Sequence, residues 1–156
     1  MEKYLGIPIV NGRVKNECFD YAIQAMKKQL TKWKANSISQ AGRALLIQSN
    51  LLSKHNHLMQ CFMLPKGICQ QIDDINKKFF WNKDYSYFHP LLSWEAICRP
   101  KHLGGLGLHK SEHLNIALQL KLLWKILTDP NNIWVRLISE KYLQGSNILT
   151  FKKKRV

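Results

Sequence analysis

Two runs of apolar residues, each spaced at three- and four-residue steps, constrain the fold of this chain most strongly. The first run is Phe19, Ile23, Met26, Leu30 and Trp33. The second follows Pro65 and is Ile68, Ile72, Ile75 and Phe79. At about 3.6 residues per turn, each run forms one narrow stripe along a helix. A stripe of this kind is stable when it packs against another element, so the sequence predicts a mainly α-helical bundle.

A further helix is predicted between these two, with Ser37 or Ser39 as its N-cap. The apolar side of this helix is predicted to be Ala41, Ala44, Leu45, Leu51, Leu52, Leu58 and Met59. The other side carries Arg43, Asn50, Lys54 and His57, at offsets of seven, eleven and fourteen residues from the arginine. These offsets return to nearly the same angle, which predicts a polar ridge about four turns long.

The remaining segments are predicted from their turn and cap residues. The run YLGIPIV favours a short N-terminal strand. Ser93 is expected to cap a short helix within an aromatic and glycine-rich connector, Ser111 to cap a long helix, and Asp129-Pro130 to begin the last one. The expected organisation is a strand and turn in 1–14, a helical region in 15–82, a connector in 83–110, a helical region in 111–143 and a basic tail in 144–156.

The long helix is unusual because Leu114, Ile116, Leu118, Leu120, Leu122, Leu123, Trp124 and Leu127 cover most of its circumference. We expect it either to be central or to pack on something beyond this chain, including a second copy of it. Four of the five tryptophans, at positions 33, 81, 94 and 124, are interpreted as packing residues.

The charge of the chain points to a polyanionic partner. The formal net charge is +14, from 24 Lys and Arg against 10 Asp and Glu. Between Tyr21 and Ile72 there is no acidic residue, while seven positive charges come from Lys27, Lys28, Lys32, Lys34, Arg43, Lys54 and Lys66. A surface that contacts phosphates is favoured over the alternative, an ordinary basic protein with solvated lysines.

Cysteine usage and hydropathy bear on the compartment. The four cysteines lie far apart and no secretory signal is recognisable, so we expect reduced thiols in an intracellular protein. Nucleus and cytoplasm stay open, although the KKKR of the tail is typical of a nuclear address. The most apolar run, IALQLKLLWKIL, is interrupted by Lys121 and Lys125, and we therefore expect no membrane span.

No catalytic, cofactor or metal site is assigned from the residues. Asp73 and Asp74 diverge by about 100° on a helix, which excludes convergence on one metal ion and places both on a solvated face. The glycines of GGLGL lack the residues of a phosphate-binding loop and are interpreted as turn residues. Metal binding stays an open alternative for Cys98, His102, His109 and His113, and is less favoured for His55, His57, Cys61 and Cys69, because neither spacing is that of a familiar zinc site.

Several blocks, taken in order, carry a family resemblance. They are YLGIPI, LTKWKANSISQAGRALLIQSNLL, MQCFMLPKGICQQIDDINKKFFW, LLSWEAICRPKHLGGLGLHK and LNIALQLKLLWKILTDPNNIWVRLISEKYL. Together they span Tyr4 to Leu143 and resemble the segment after the catalytic palm of plant non-LTR, LINE-type retrotransposon reverse transcriptases. The histidines at 55, 57, 102 and 109 and the lysine-rich tail depart from that likeness.

The resemblance implies the thumb and connection region of an RNA-directed DNA polymerase. It implies that Lys34, Arg43, Asn50 and Lys54 follow the sugar-phosphate backbone of an RNA-DNA hybrid, beside Lys27, Lys28 and Lys32 of the acid-free window. The polymerase aspartates of the family belong upstream of YLG, so we expect no polymerisation by this chain alone and no cofactor. A helical protein-interaction module and a relic without selected function are the alternatives.

Overall fold

The computed structural model describes residues 3–5, 7–9, 16–33, 37–51, 55–81 and 90–143. Within these residues the chain is mainly helical, as predicted. The α-helices are α1 (Asp20–Lys32), α2 (Gln40–Leu46), α3 (Asn56–Cys61), α4 (Lys66–Trp81), α5 (Trp94–Ile97), α6 (Ser111–Thr128) and α7 (Ile133–Ile138). Short 3-10 turns lie at Asn16–Phe19 and Lys101–Leu103, and π-helical turns lie at Ile47–Leu51 and Ser139–Leu143. None of the described helices is both long and apolar enough to cross a bilayer.

The N-terminal run forms a minimal hairpin where a single strand was predicted. Strands β1 (Lys3–Tyr4) and β2 (Ile7–Pro8) pair antiparallel, with Tyr4 opposite Ile7. Leu5 adopts a positive φ of 50°, which reverses the chain direction between the strands. The β-branched run is therefore folded back on itself and supplies its own partner.

The core is built on the two apolar stripes. Ile23 and Met26 of α1 are buried, as are Ile68, Ile72 and Phe79 of α4. Helix α4 packs against α1, α2 and α6, and α3 packs against α6. The ring of Trp33 lies 5.4 Å from that of Phe79, so the ends of α1 and α4 also meet. Both stripe predictions are confirmed.

The predicted helix between α1 and α4 differs from its prediction. Ser39 is the N-cap, and its Oγ accepts a hydrogen bond from the Gly42 backbone N–H at 3.2 Å. The α-helix ends at Leu46, a π-helical turn follows, and α3 begins only at Asn56. Ile47, the first residue of the π turn, is completely buried, whereas Leu45 in α2 is 65% exposed, so the predicted apolar side is wrong at Leu45.

The connector and the last helix also test the cap predictions. Ser93 caps α5, accepting from Ala96 N–H at 3.1 Å, as predicted. The turn that contains Gly104 (φ 82°) and Gly107 (φ 70°) uses backbone conformations that glycine adopts without strain. The prediction for Asp129-Pro130 is wrong, because Asn132 is the N-cap of α7 and accepts from Trp134 N–H at 3.1 Å.

Helix α6 attaches to the bundle through a polar seam, which we define as Ser111, Asn115 and Gln119. Buried Asn115 donates to the carbonyls of Met59 and Phe62 at 2.7 and 2.9 Å, and its Oδ1 accepts from Leu64 N–H at 2.8 Å. Gln119 donates to the Met59 and Gln60 carbonyls at 2.7 and 3.1 Å. The seam thus satisfies the free carbonyls at the end of α3.

Candidate nucleic-acid interface

The exposed lysines of α1 form the best-defined part of the candidate interface. Lys27, Lys28 and Lys32 are all exposed, because the stripe that contains Ile23 and Met26 turns the opposite side of the helix toward the core. None of the three lysines forms an ion pair with a described residue. Their charge is therefore available to an external anion.

Most of the positively charged residues of the acid-free window lie in the described part of the chain. They are Lys27, Lys28, Lys32, Arg43 and Lys66. Among described residues, Lys66 pairs with Glu112 at 3.5 Å and Lys110 pairs with Glu95 at 3.1 Å. Only the first involves a lysine of the window, and its glutamate comes from α6. Since a solvent-exposed pair of this kind contributes little energy, it also leaves Lys66 able to exchange partners.

Arg43 is less exposed to solvent than a residue that contacts the sugar-phosphate backbone needs to be. The residue is half-buried, and its Nε and Nη1 atoms are shielded from solvent without a hydrogen-bond partner among the described residues. A buried N–H donor without an acceptor is unfavourable. A phosphate contact through these two nitrogens requires the side chain to turn outward.

The predicted polar ridge is not one continuous α-helical line. Asn50 lies in the π-helical turn, half-buried, and its Nδ2 donates to Ser49 Oγ at 3.2 Å. His57 is exposed in α3, beyond a change of helical geometry. Lys34 and Lys54 lie outside the described residues. The uniform spacing assumed for the ridge is thus wrong in its central part.

Only part of the first cysteine and histidine set predicted from the sequence lies close together in the structure. Cys98, His109 and His113 line a cavity of about 340 Å³ with Glu95 and Lys110, while His102 stays exposed on the Lys101–Leu103 turn. Burial, reinforced by the Asp73 charge, raises the pKa of Cys98 to about 12. Because zinc binds the thiolate, this environment disfavours Cys98 as a ligand. Among described residues no three His, Cys, Asp or Glu side chains converge on a metal position.

The second cysteine and histidine set is dispersed. His55 is buried, with its Nδ1 2.9 Å from the Leu51 carbonyl, whereas His57 and Cys61 are exposed. Cys69 lies in the core, and burial, followed by the charges of Asp73 and Glu112, raises its pKa to about 11.

Asp73 has a structural contact that the sequence did not reveal. Its Oδ1 accepts hydrogen bonds from the backbone N–H and hydroxyl of Ser111 at 3.0 and 2.6 Å. Burial raises the pKa of the Asp73 carboxyl, and the two Ser111 hydrogen bonds act in the opposite direction. The prediction of a solvated face is correct for exposed Asp74 and wrong for Asp73, which caps α6 from another helix.

The prediction for Ser111 changes accordingly. Ser111 is the first residue of α6 and not its N-cap, and Lys110 at the N-cap makes no side-chain cap hydrogen bond. The sequence signal that could have revealed the seam is the recurrence of uncharged polar residues at 111, 115 and 119, every fourth position of the helix.

Helix α6 is not central, since most of its apolar side chains remain accessible. Leu114 and Leu118 pack on the core, but Leu120 is 56% and Trp124 66% exposed. Trp33, Trp81 and Trp94 pack as predicted, whereas the packing role predicted for Trp124 is wrong within the described residues. Exposed apolar side chains also occur on α7 and the turn after it, at Ile133, Trp134, Leu137 and Tyr142.

Comparisons with known proteins identify two plant relatives. The chain is 28% identical over 141 residues to the "Putative ribonuclease H protein At1g65750" of Arabidopsis thaliana, a match that covers 89% of the chain and 23% of that protein. It is 26% identical over 95 residues to the "Uncharacterized mitochondrial protein AtMg00310" of Arabidopsis thaliana, covering 60% of the chain and 62% of that protein. The chain thus spans less than two thirds of either relative.

No family model matches the sequence. No solved structure matches it either. The similarity to plant proteins, one of them named for ribonuclease H, is accordingly the extent of what the comparisons establish.

Proposed function

We propose that this chain is the thumb-like and connection part of a plant retrotransposon reverse-transcriptase-type protein, and that it binds the backbone of RNA-DNA hybrids without sequence preference. The observation that carries this proposal is the set of exposed lysines on α1, which form no ion pair with a described residue, within a window that has no acidic residue. The name of one relative, which refers to ribonuclease H, supports a nucleic-acid partner for this chain.

Polymerase chemistry is not proposed for the adjacent aspartates of this chain. Asp73, one of the two adjacent aspartates, is engaged with Ser111 as a helix cap, while Asp74 is exposed on the next helical position. The two carboxylates therefore lie in different environments and are not arranged to bind one metal ion. The function proposed for these 156 residues is therefore binding, and not nucleotide transfer.

The lysines of α1 suit backbone contact because phosphate charge is independent of sequence. Each phosphate neutralised by a lysine releases condensed counterions, so the binding constant falls as salt rises. If about four cations of the chain contact phosphates, the slope of log affinity against log salt is about −3.6.

The proposal is tested by fluorescence anisotropy of labelled RNA-DNA hybrids of unrelated sequence, titrated with the protein over a salt series. The expected result is saturable binding of similar affinity for every sequence, with a steep negative slope. A flat salt profile, or a strong preference for one sequence, would contradict backbone binding.

A second function is favoured by the exposed apolar surface of α6 and α7. Leu120, Trp124 and Leu137 are each more than half exposed, and they lie on consecutive helices. Exposed apolar side chains that group on a surface are typical of association sites. This surface would dock another protein, or a second copy of the chain.

The test of the second function is the mass of the protein by light scattering over a range of concentrations and salt. Apolar association is expected to increase the mass with concentration and to persist at high salt. A monomer at every concentration would exclude self-association and leave a different protein as the partner.

A further inference from the structure

An apolar cavity opens between α1 and α3, beside the exposed lysines of α1. Its volume is about 270 Å³. The floor consists of Ala22, Met26 and Leu58, all of them buried. Buried His55 also lines the cavity, and the more accessible lining side chains, half-buried Tyr21 and exposed His57, define its edge. Since one water occupies roughly 30 Å³ of the liquid, the cavity has room for a ring-shaped group many times that size.

The small side chains of α1 keep this cavity open. Ala22 and Ala25 are one helical step apart on the side of α1 that faces α3, and Ala25 is exposed at the mouth. A larger side chain at Ala25 would project into the opening. The aromatic rings of Tyr21 and His57 offer flat faces next to it, the kind of surface on which nucleobases stack.

Basic residues follow Ala25 along α1, while the acidic residue of the helix, Asp20, precedes it by five residues and lies on another side of the helix. Lys28 and Lys32 follow Ala25 by three and seven residues, which puts all three on the same side of the helix. At about 1.5 Å per residue, the two lysines lie roughly 4.5 and 10.5 Å further along the axis. A nucleic-acid strand that leaves the cavity along α1 would pass both ammonium groups.

We propose that this cavity binds the unpaired base of a nucleotide whose neighbouring phosphates lie on Lys28 and Lys32. The inference rests on the proposed function, and it adds a specific ligand: a hybrid with an unpaired terminal base. The apolar floor receives the base, the rings at the edge stack with it, and the lysines neutralise the strand. A paired base is held inside the duplex and cannot enter.

The positive charges of Lys28 and Lys32 favour a nucleobase as the occupant of the cavity over a hydrophobic side chain of another protein. A peptide side chain would fill the cavity without any use for the two cations beside it. A nucleotide uses both features, because its base is apolar on its faces and its phosphate is negative.

The test compares two labelled RNA-DNA hybrids, one blunt and one with a single unpaired adenine at one end, by anisotropy at constant salt. Stacking of one base on aromatic side chains predicts at least about fivefold tighter binding of the hybrid with the unpaired base. The variant Ala25→Trp, which fills the mouth, should remove this preference and leave the affinity for the blunt hybrid unchanged.

A matched control is Ala117→Trp, since Ala117 is an exposed alanine on α6 and does not line the cavity. It should retain the preference for the unpaired base. Circular dichroism spectra of both variants check that the helices are intact.

The outcomes separate this inference from the proposed function. Equal binding of both hybrids by the unmodified protein, with a steep salt dependence, would overturn the base site while leaving backbone binding in place. The base site would likewise be overturned if Ala25→Trp kept the preference, or if an apolar peptide competed equally with the blunt and the unpaired hybrid. Absence of binding to either hybrid would overturn both proposals.

Discussion

Asp73 of α4 caps α6 from outside that helix, through hydrogen bonds to the Ser111 backbone N–H at 3.0 Å and to the Ser111 hydroxyl at 2.6 Å. The long C-terminal helix is thereby joined to the bundle at its first turn. A carboxylate at this position also interacts favourably with the positive end of the helix dipole. We therefore expect this contact to be coupled energetically to the docking of α6.

Replacement of Asp73 by Ala should lower the free energy of unfolding by about 1–2 kcal/mol, the usual range for loss of an N-terminal cap. Ser111→Ala removes the hydroxyl but keeps the backbone N–H, so its effect should be smaller. A double-mutant cycle measured by urea unfolding should show a coupling energy of at least about 0.5 kcal/mol. Additive effects would mean that the two side chains do not interact in solution.

Replacement of Asn115 is expected to destabilise the protein more than replacement of Gln119. Asn115 is 1% exposed and makes three hydrogen bonds to backbone groups, while Gln119 is only partly buried and shares the Met59 carbonyl. Asn115→Ala should cost about 3 kcal/mol or more, because several buried backbone groups lose their partners. Gln119→Ala should cost about 1 kcal/mol.

The same two variants can be followed locally by hydrogen exchange. The Leu64 amide donates to Asn115 Oδ1 at 2.8 Å and should lose protection in Asn115→Ala, but not in Gln119→Ala. Unchanged protection at Leu64 in the Asn115 variant would contradict the seam.

Two tryptophans provide a matched test of the packing. Trp94 is 9% exposed and its ring lies 6.4 Å from that of Phe80, whereas Trp124 is 66% exposed. Trp94→Ala should destabilise the protein by about 3–5 kcal/mol, and Trp124→Ala should stay within about 0.5 kcal/mol of the unmodified monomer. Thermal melts at low protein concentration give both values. A large loss for the Trp124 variant would show that α6 packs on its apolar side.

The cysteines should differ strongly in alkylation. Cys61 is exposed, whereas Cys69 is 2% exposed and burial raises its pKa to about 11. Since the thiolate is the nucleophile, iodoacetamide near pH 8 should modify Cys61 rapidly and Cys69 only after unfolding. Peptide mass spectrometry over time provides the order. Early modification of Cys69 in folded protein would contradict its placement in the core.

The parts of the fold that sequence predicts well are those determined by neighbouring residues. The stripes of α1 and α4 and the cap at Ser93 depend on spacing and on local hydrogen bonds and were predicted correctly, and Ser39 was one of the two caps predicted for α2. The cap predictions at Ser111 and Asp129 were wrong, because Asp73 caps α6 from another helix and α7 begins only after Asn132. The π turn after Leu46 was not predicted, because it depends on tertiary packing that buries Ile47.

Helix α6 shows the same limit more clearly. Its apolar composition suggested a helix that is either central or packed on something beyond this chain. The helix is not central, since its polar seam meets the bundle and much of its apolar surface faces outward. Burial of a polar group is favourable only when partners are in place, and the partners of Asn115 are backbone groups more than 50 residues away. No local pattern contains that information. For the interface, the sequence located the exposed lysines but not the shielded guanidinium of Arg43.

The most direct test of backbone binding compares two variants of equal charge. In Lys28→Gln/Lys32→Gln the charge is removed from α1, and in Lys121→Gln/Lys125→Gln it is removed from exposed positions on α6. The affinity of each for a blunt RNA-DNA hybrid is measured across the same salt series. Our account predicts that the α1 variant loses about two units of salt slope, one for each phosphate contact, while the α6 variant keeps the slope of the unmodified protein. Equal losses in both variants would mean that only net charge matters, and would contradict an interface on α1.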